Sequence, residues 1–152
     1  MNYIIRYFKS VALAMFSAVL LWSCSDDKDE PVAVTTLPEA AQTFLSSHYA
    51  GVKEQSAVRD KDDHNVEYDV RLANGHEVTF DAEGNWTDVD APTGQTVPDG
   101  LVPEAVALYI ATNYPSEGIN EISRSAAGYE VDLTNGVDLV FDSFGNFLRA
   151  DR

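Results

Sequence analysis

Residues 68–86 read YDVRLANGHEVTFDAEGNW, and residues 129–147 read YEVDLTNGVDLVFDSFGNF. Nine of nineteen positions are identical at an offset of 61, where unrelated segments of ordinary composition would share about one. Within each copy, apolar and polar residues alternate. Tyr68, Val70 and Leu72 stand against Glu67, Asp69 and Arg71; Tyr129, Val131 and Leu133 stand against Glu130, Asp132 and Thr134. A period of two marks a strand with one face buried and one in water. Asn74-Gly75 and Asn135-Gly136 come next, a pair suited to a type I′ hairpin turn, whose two central residues both need positive φ. The returning strands put Val78 and Phe80, or Leu139 and Phe141, on the apolar side. Asp81 to Asn85 and Asp142 to Asn146 turn the chain again, into short fourth strands at Trp86 and Phe147.

The duplication extends upstream. LPEAAQTFLSSHYAG (37–51) is echoed by VPEAVALYIATNYPS (102–116) at an offset of 65. Ala41, Phe44, Leu45, His48 and Tyr49 fall at helical spacing, as do Val106, Tyr109, Ile110, Asn113 and Tyr114, one stripe per helix. Pro38 and Pro103 suit the first helical turn, and Glu39 and Glu104 complement the positive end of the dipole. Val52–Val58 and Ile119–Arg124 read as first strands, and the extra residues of the first copy fall in the Asp60–His64 turn. The unit is αββββ, written twice: residues 36–90 and 102–152, joined by a Pro/Gly linker over 91–101. The predicted fold is α+β, a tandem repeat whose two helices pack on one face of an antiparallel sheet. The other face is left open and acidic.

The amino terminus carries an address. Arg6 and Lys9 precede an apolar run from Val11 to Leu21, too short to span a bilayer as a permanent helix. Leu21-Trp22-Ser23-Cys24 resembles the bacterial lipoprotein signal, in which the cysteine is diacylated and becomes the new N-terminus; Trp22 departs from the small or aliphatic residue usual there. Cys24 is the only cysteine and the expected lipidation site, so residues 1–23 read as a signal peptide and 24–35 as an acidic tether. The run Ser25 to Glu30 resembles the signal that sends some lipoproteins to the cell surface, and equally suits a solvated spacer. The expected location is the outer membrane, on its cell-surface or periplasmic side. The chain after Cys24 holds 8 Lys and Arg against 25 Asp and Glu, a formal charge of −17. Such a field repels phosphate backbones and disfavours nucleic acid.

With these residues laid out, the chain resembles the PepSY-like family of β-lactamase-inhibitor-like lipoproteins. The doubled "LPEA…Y" helix start and the doubled "Y-[DE]-V-x-L-x-N-G…F-D-x-x-G-N" hairpin carry the resemblance over about residues 36–152. It implies binding rather than turnover: an inhibitor-like module whose sheet face grips an enzyme, restraining a secreted or surface hydrolase. It supplies no inhibitory residue position by position.

Nothing in the residues contradicts a non-enzymatic reading. His48, His64 and His76 are scattered without zinc spacing, no Gly-rich loop precedes a helix, and no G-x-S-x-G occurs. No catalytic residue, metal ligand or cofactor is expected. Asp60, Asp62 and His64, or Asp81, Glu83 and Asn85, space oxygen ligands two apart as calcium loops do, yet neither follows the EF-hand order, and ordinary turn chemistry accounts for both. The feature left is the outward sheet face: Glu67, Asp69, Glu77 and Asp81 in one copy, Glu130, Asp132, Asp138 and Asp142 in the other, broken by Arg71 and Val140. Carboxylates on neighbouring strands repel one another unless something cationic sits there. Glu67, Asp69, Arg71, Glu77, Glu130, Asp132 and Asp138 are therefore the candidate contacts for an envelope or secreted protein. Phe144 joins them as the aromatic expected to be exposed, since Glu83 holds the matching place. A glycan or calcium ion is the alternative ligand. Trp86 and Phe147, at matching positions, are expected in the core.

Overall fold

A computed structural model describes residues 29–61 and 66–151. The leader, Cys24 and the start of the tether lie outside the described residues, as do Asp62 and His64 of the first predicted calcium loop. In chain order the elements are β1 (Glu30–Pro31), a 3₁₀ turn (Val34–Thr36), α1 (Glu39–His48), β2 (Glu54–Lys61), β3 (Val66–Leu72), β4 (Glu77–Phe80) and β5 (Trp86–Asp90). Then come α2 (Glu104–Asn113), β6 (Ile119–Ser125), β7 (Gly128–Leu133), β8 (Asp138–Asp142) and β9 (Phe147–Asp151). The nine strands form one antiparallel sheet in sequence order, and with two helices the fold is α+β.

Both helices start one residue later than expected. Pro38 and Pro103 are extended N-cap residues, with ψ of 147° and 150°. Their carbonyls accept from Gln42 and Ala107 respectively, so each proline's missing N–H is lost outside the helix. The Gln42 amide also caps the Leu37 carbonyl at 2.8 Å. Ala41, Leu45 and Tyr49 of the first stripe are buried, as are Val106 and Ile110 of the second; Asn113 is exposed and bonds back to the Tyr109 carbonyl.

The sheet's buried face is set by one uninterrupted row. Ala57, Val70, Val78, Val89, Ile122, Val131, Leu139 and Ala150 are paired in turn across β2 to β9. All but Ala150, on the outermost strand, are buried. Beside it run Tyr68, Phe80 and Trp86, then Tyr129, Phe141 and Phe147. The helices meet this aromatic row: Phe44 lies edge-on to Phe80 at 5.6 Å, and Tyr109 edge-on to Phe141 at 5.4 Å. A side chain such as Phe80 or Phe141, fully out of water, contributes about 2–3 kcal/mol through burial alone.

Four expectations change. β2 starts two residues later and runs three further than predicted. Glu30–Pro31, assigned to the tether, pairs with β2 at Arg59 and Val58 and so begins the sheet. The linker is not a free spacer: Ala91, Val97 and Leu101 are buried, and the Asn120 amide donates to the Ala91 and Gln95 carbonyls at 2.8 and 3.1 Å. The hairpins are not two-residue type I′ turns. Gly75 N–H donates to the Leu72 carbonyl and Leu72 N–H to the His76 carbonyl, which makes Ala73 and Asn74 the central residues. Gly75, at φ 88°, takes the left-handed position after them. Gly136 repeats the pattern with Leu133.

Candidate functional site

Side chains alternate, so the face opposite the buried row carries the residues between. Two rows result. One runs Val58, Asp69, Thr79, Asp88, Ser123, Glu130, Val140, Arg149. The other runs Ser56, Arg71, Glu77, Asp90, Glu121, Asp132, Asp138, Asp151 along the same pairings. In the second row six successive strands, β4 to β9, each present a carboxylate. Directly opposed like charges on adjacent strands are destabilising, and paired Cα atoms on antiparallel strands stand only about 4.5–5.5 Å apart.

The ends of this ladder are neutralised and its middle is not. Arg71 bonds Glu77 at 2.6 Å, and Arg149 bonds Asp151 at 2.7 Å. Among the described residues Asp90, Glu121, Asp132 and Asp138 form no ion pair. The effect shows in their protonation. Partial burial, then the charges of Asp88, Asp132, Asp90 and Asp138, push Glu121 up to about 7. Asp88, diagonal to it, is pushed up to about 6 by burial and by Asp90, Asp132 and Asp69. Asp132 is raised by burial and by Asp138, Glu130 and Asp90. These shifts arise on a wide shared surface rather than in an apolar pocket holding one acid apart from a base, the arrangement acid–base catalysis uses.

Of the expected contacts, the two rows bring together Asp69, Arg71, Glu77, Glu130, Asp132 and Asp138. Asp69 accepts a 2.7 Å bond from the Thr79 hydroxyl. Glu67 is exposed one row further out, opposite Asp60. Asp81 and Asp142 leave the face: each folds into its own turn. Burial raises Asp81, but bonds from the Asn85 side chain and from the amides of Asn85, Glu83 and Gly84 outweigh it and hold the carboxyl low. Asp142 is likewise lowered, by Asn146 first, against a slight effect of burial. Both carboxylates thus close their own turns, Asp81 accepting from Glu83 and Asn85 and Asp142 from Phe144 and Asn146. Phe144 is 82% exposed, as expected, but stands in the β8–β9 turn rather than on the rows. Phe147 is half out of the core, stacked on Tyr109 at 4.5 Å, whereas Trp86 is buried.

Three ladder members, Asp90, Glu121 and Asp151, and Asp88 of the other row escaped the sequence reading. Tyr49, at the end of the first helical stripe, is buried, its hydroxyl 3.1 Å from His76 Nδ1. Burial lowers His76, opposed by Gln95 and Asp90. His48 rests against the Phe44 ring at 4.6 Å. Among the described residues no three His, Cys, Asp or Glu side chains are placed to hold a metal ion, and no helix is long and apolar enough to cross a membrane.

Two helices and a nine-stranded antiparallel sheet that carries a carboxylate ladder define an α+β module. The family model described as "Putative beta-lactamase-inhibitor-like, PepSY-like" matches residues 66–149, and the chain belongs to this family. Three solved structures are similar. A "putative calcium-regulated periplasmic protein" of Bacteroides thetaiotaomicron shares 36% identity at TM-score 0.80, over 83% of this chain and 98% of that one. A "putative periplasmic protein" of the DUF2874 family from Bacteroides vulgatus shares 38% at TM-score 0.79, over 84% and 99%. A second Bacteroides vulgatus periplasmic protein, described as of unknown function, shares 33% at TM-score 0.77, over 82% and 99%. No curated protein matches significantly.

Proposed function

We propose that this protein is a non-enzymatic binding module of the bacterial envelope that takes a cationic protein partner on its acidic sheet face. The observation that carries the reading is the run of four carboxylates, Asp90 to Asp138, without ion pairs among the described residues in the middle of a six-carboxylate ladder. A partner's Lys or Arg side chains would relieve that repulsion, and the long-range field would steer such a partner to the face. The inhibitor-like character of the family supports a secreted or surface hydrolase as the protein restrained. In this reading residues 1–23 are removed, Cys24 is lipidated, 24–35 tether the domain to the outer membrane, and 36–90 and 102–152 are tandem copies joined by 91–101. Both helices then cover one face, as the parallel contacts of Phe44 and Tyr109 suggest.

The test is capture of envelope proteins by the full chain at low and high salt, with Asp69→Lys plus Asp132→Lys as comparison. A protein retained at low salt, and released both by salt and by the double substitution, supports the reading. Retention indifferent to both would sink it. Labelled fatty acid incorporated by the wild type and not by Cys24→Ser tests the anchor separately.

A calcium ion on the same face is the second reading, favoured by the relative described as calcium-regulated. It predicts a melting temperature that rises with calcium and falls back with chelator. Melts unchanged by either would exclude it.

A further inference from the structure

β9 differs from its counterpart. All five of its residues are exposed, while β5, which holds the same place after α1, buries Trp86 and Val89. The cause is position: β6 covers β5, and β9 ends the sheet. Paired on one side with β8, β9 has its other edge open among the described residues, beside a 38% exposed Phe147 and a 58% exposed Leu148, and such an edge is a template for another strand.

The seat such a strand would take is already drawn inside the molecule. Where β6 covers β5, Ile122 faces Val89 and Ser123 faces Asp88. Arg124 lays its guanidinium 4.3 Å from the centroid of the Trp86 ring and donates from Nε to the Trp86 carbonyl. At the opposite end of the sheet, next to β1, β2 carries Ala57, Val58 and Arg59 in the places of Ile122, Ser123 and Arg124. Ala57 faces Val70 as Ile122 faces Val131, and Arg59 faces Tyr68 as Arg124 faces Tyr129. Yet Arg59 Nε is buried and has no hydrogen-bond partner among the described residues. A charged donor left unsatisfied out of water is costly. Arg124 finds its acceptor on the strand before it. Among the described residues, what lies beyond Arg59 is two-residue β1, with Val32 donating its N–H to the Ala57 carbonyl, a short pairing that gives Arg59 Nε no acceptor.

We propose that β9 of one copy pairs antiparallel with β2 of the next, displacing β1, so that Arg59 covers Phe147 and donates to its carbonyl. The internal β5–β6 pairing then fixes the register: Ala150 against Ala57, Arg149 against Val58, Asp151 against Ser56. The electrostatics improve on the internal junction. There Asp90 opposes Glu121, whereas Asp151 would meet an uncharged serine with Arg71 next along the row. Two alanines fill less space than Val89 and Ile122, so the junction is the weaker of the two. It is also heterologous: each added copy leaves one free β9 and one free β2, giving linear chains rather than closed dimers. Copies of the same strongly negative chain repel at long range, so salt strengthens this association. Salt weakens the capture of a cationic partner on the face, which keeps the two proposals separable.

The experiment is oxidative cross-linking of the full chain in the envelope, carrying Val58→Cys and Arg149→Cys together. Both positions are outside the buried row, and directly paired antiparallel residues are within disulfide reach. The expected result is a ladder of dimers, trimers and higher species on a non-reducing gel. Each single variant should give dimers at most, which also reports any contribution from Cys24. Adding Arg59→Ala, or independently Phe147→Asp at the exposed edge, should cut the ladder by about tenfold. A double-cysteine variant that melts like the wild type and stays monomeric would overturn the proposal. So would equal cross-linking by the off-register pair Gln55→Cys with Arg149→Cys.

Discussion

Replacing Glu121 with Gln should stabilise the protein in mild alkali and do nothing in mild acid. Glu121 lies between Asp90 and Asp132 in the carboxylate row. Burial and then its acidic neighbours raise it from 4.5 to about 7. Because the folded-state value lies above the unfolded one, the folded chain keeps a proton across that window which the unfolded chain has released. Stability is therefore highest below about 4.5 as far as this group is concerned, and falls as pH rises through 7. At about 1.4 kcal/mol per unit the full shift corresponds to about 3 kcal/mol. The side chain is only partly buried, and screening by water reduces this to about 1 kcal/mol. Glutamine cannot ionise, so Glu121→Gln recovers that amount at about pH 8, a rise of about 3–6 °C in Tm for a domain of this size. At about pH 4 the wild-type carboxyl is already protonated and the two proteins should melt together. Melts followed by far-UV circular dichroism at both pH values decide it. Equal shifts at both, or a lower Tm for the variant at the higher pH, would refute the crowding argument.

Three further outcomes follow from the geometry. Gly128→Ala should lower stability by about 3 kcal/mol or more, read as a large drop in Tm or loss of soluble protein, since a Cβ there would collide with the Phe141 carbonyl oxygen and lie 2.6 Å from the Asp142 carbonyl carbon, at φ 144°. Arg124→Lys should cost about 1–2 kcal/mol in denaturant titration, because a lysine keeps the charge but not the flat contact with Trp86 and the Nε bond to its carbonyl. Phe80→Ala should cost about 3–5 kcal/mol in the same titration, as its ring is fully buried against Phe44.

The strands that alternate cleanly could be read from the chain; the most crowded part of the face could not. Tyr68, Val70 and Leu72 keep period two, and with them Asp69 and Arg71 fell on the correct side. Trp86 and Val89 are both buried though three apart, because a bulge between the Thr79 and Phe80 pairings adds a residue to β5 and shifts its phase. That shift hid Asp88 and Asp90. A second irregularity, between Ile119 and Glu121, did the same for β6. The pressure on Glu121 depends moreover on β5 lying beside β6, a pairing of residues about thirty apart that no local pattern states. The Asp81 and Asp142 turns look acidic in sequence, and only the bonds to Asn85 and Asn146 reveal their oxygens as occupied.

The buried row from Ala57 to Leu139 crosses from β5 to β6 without a seam. Its consequence is that the chain is divisible in covalent terms and indivisible in physical ones. Cut at the linker, each half would expose a raw edge, Trp86 and Val89 on one and Ile122 on the other, with Arg124 parted from the ring and carbonyl it serves. Such halves have every reason to find each other again. The molecule is thus a natural candidate for fragment complementation, in which two separately made pieces regain a fold that neither holds alone.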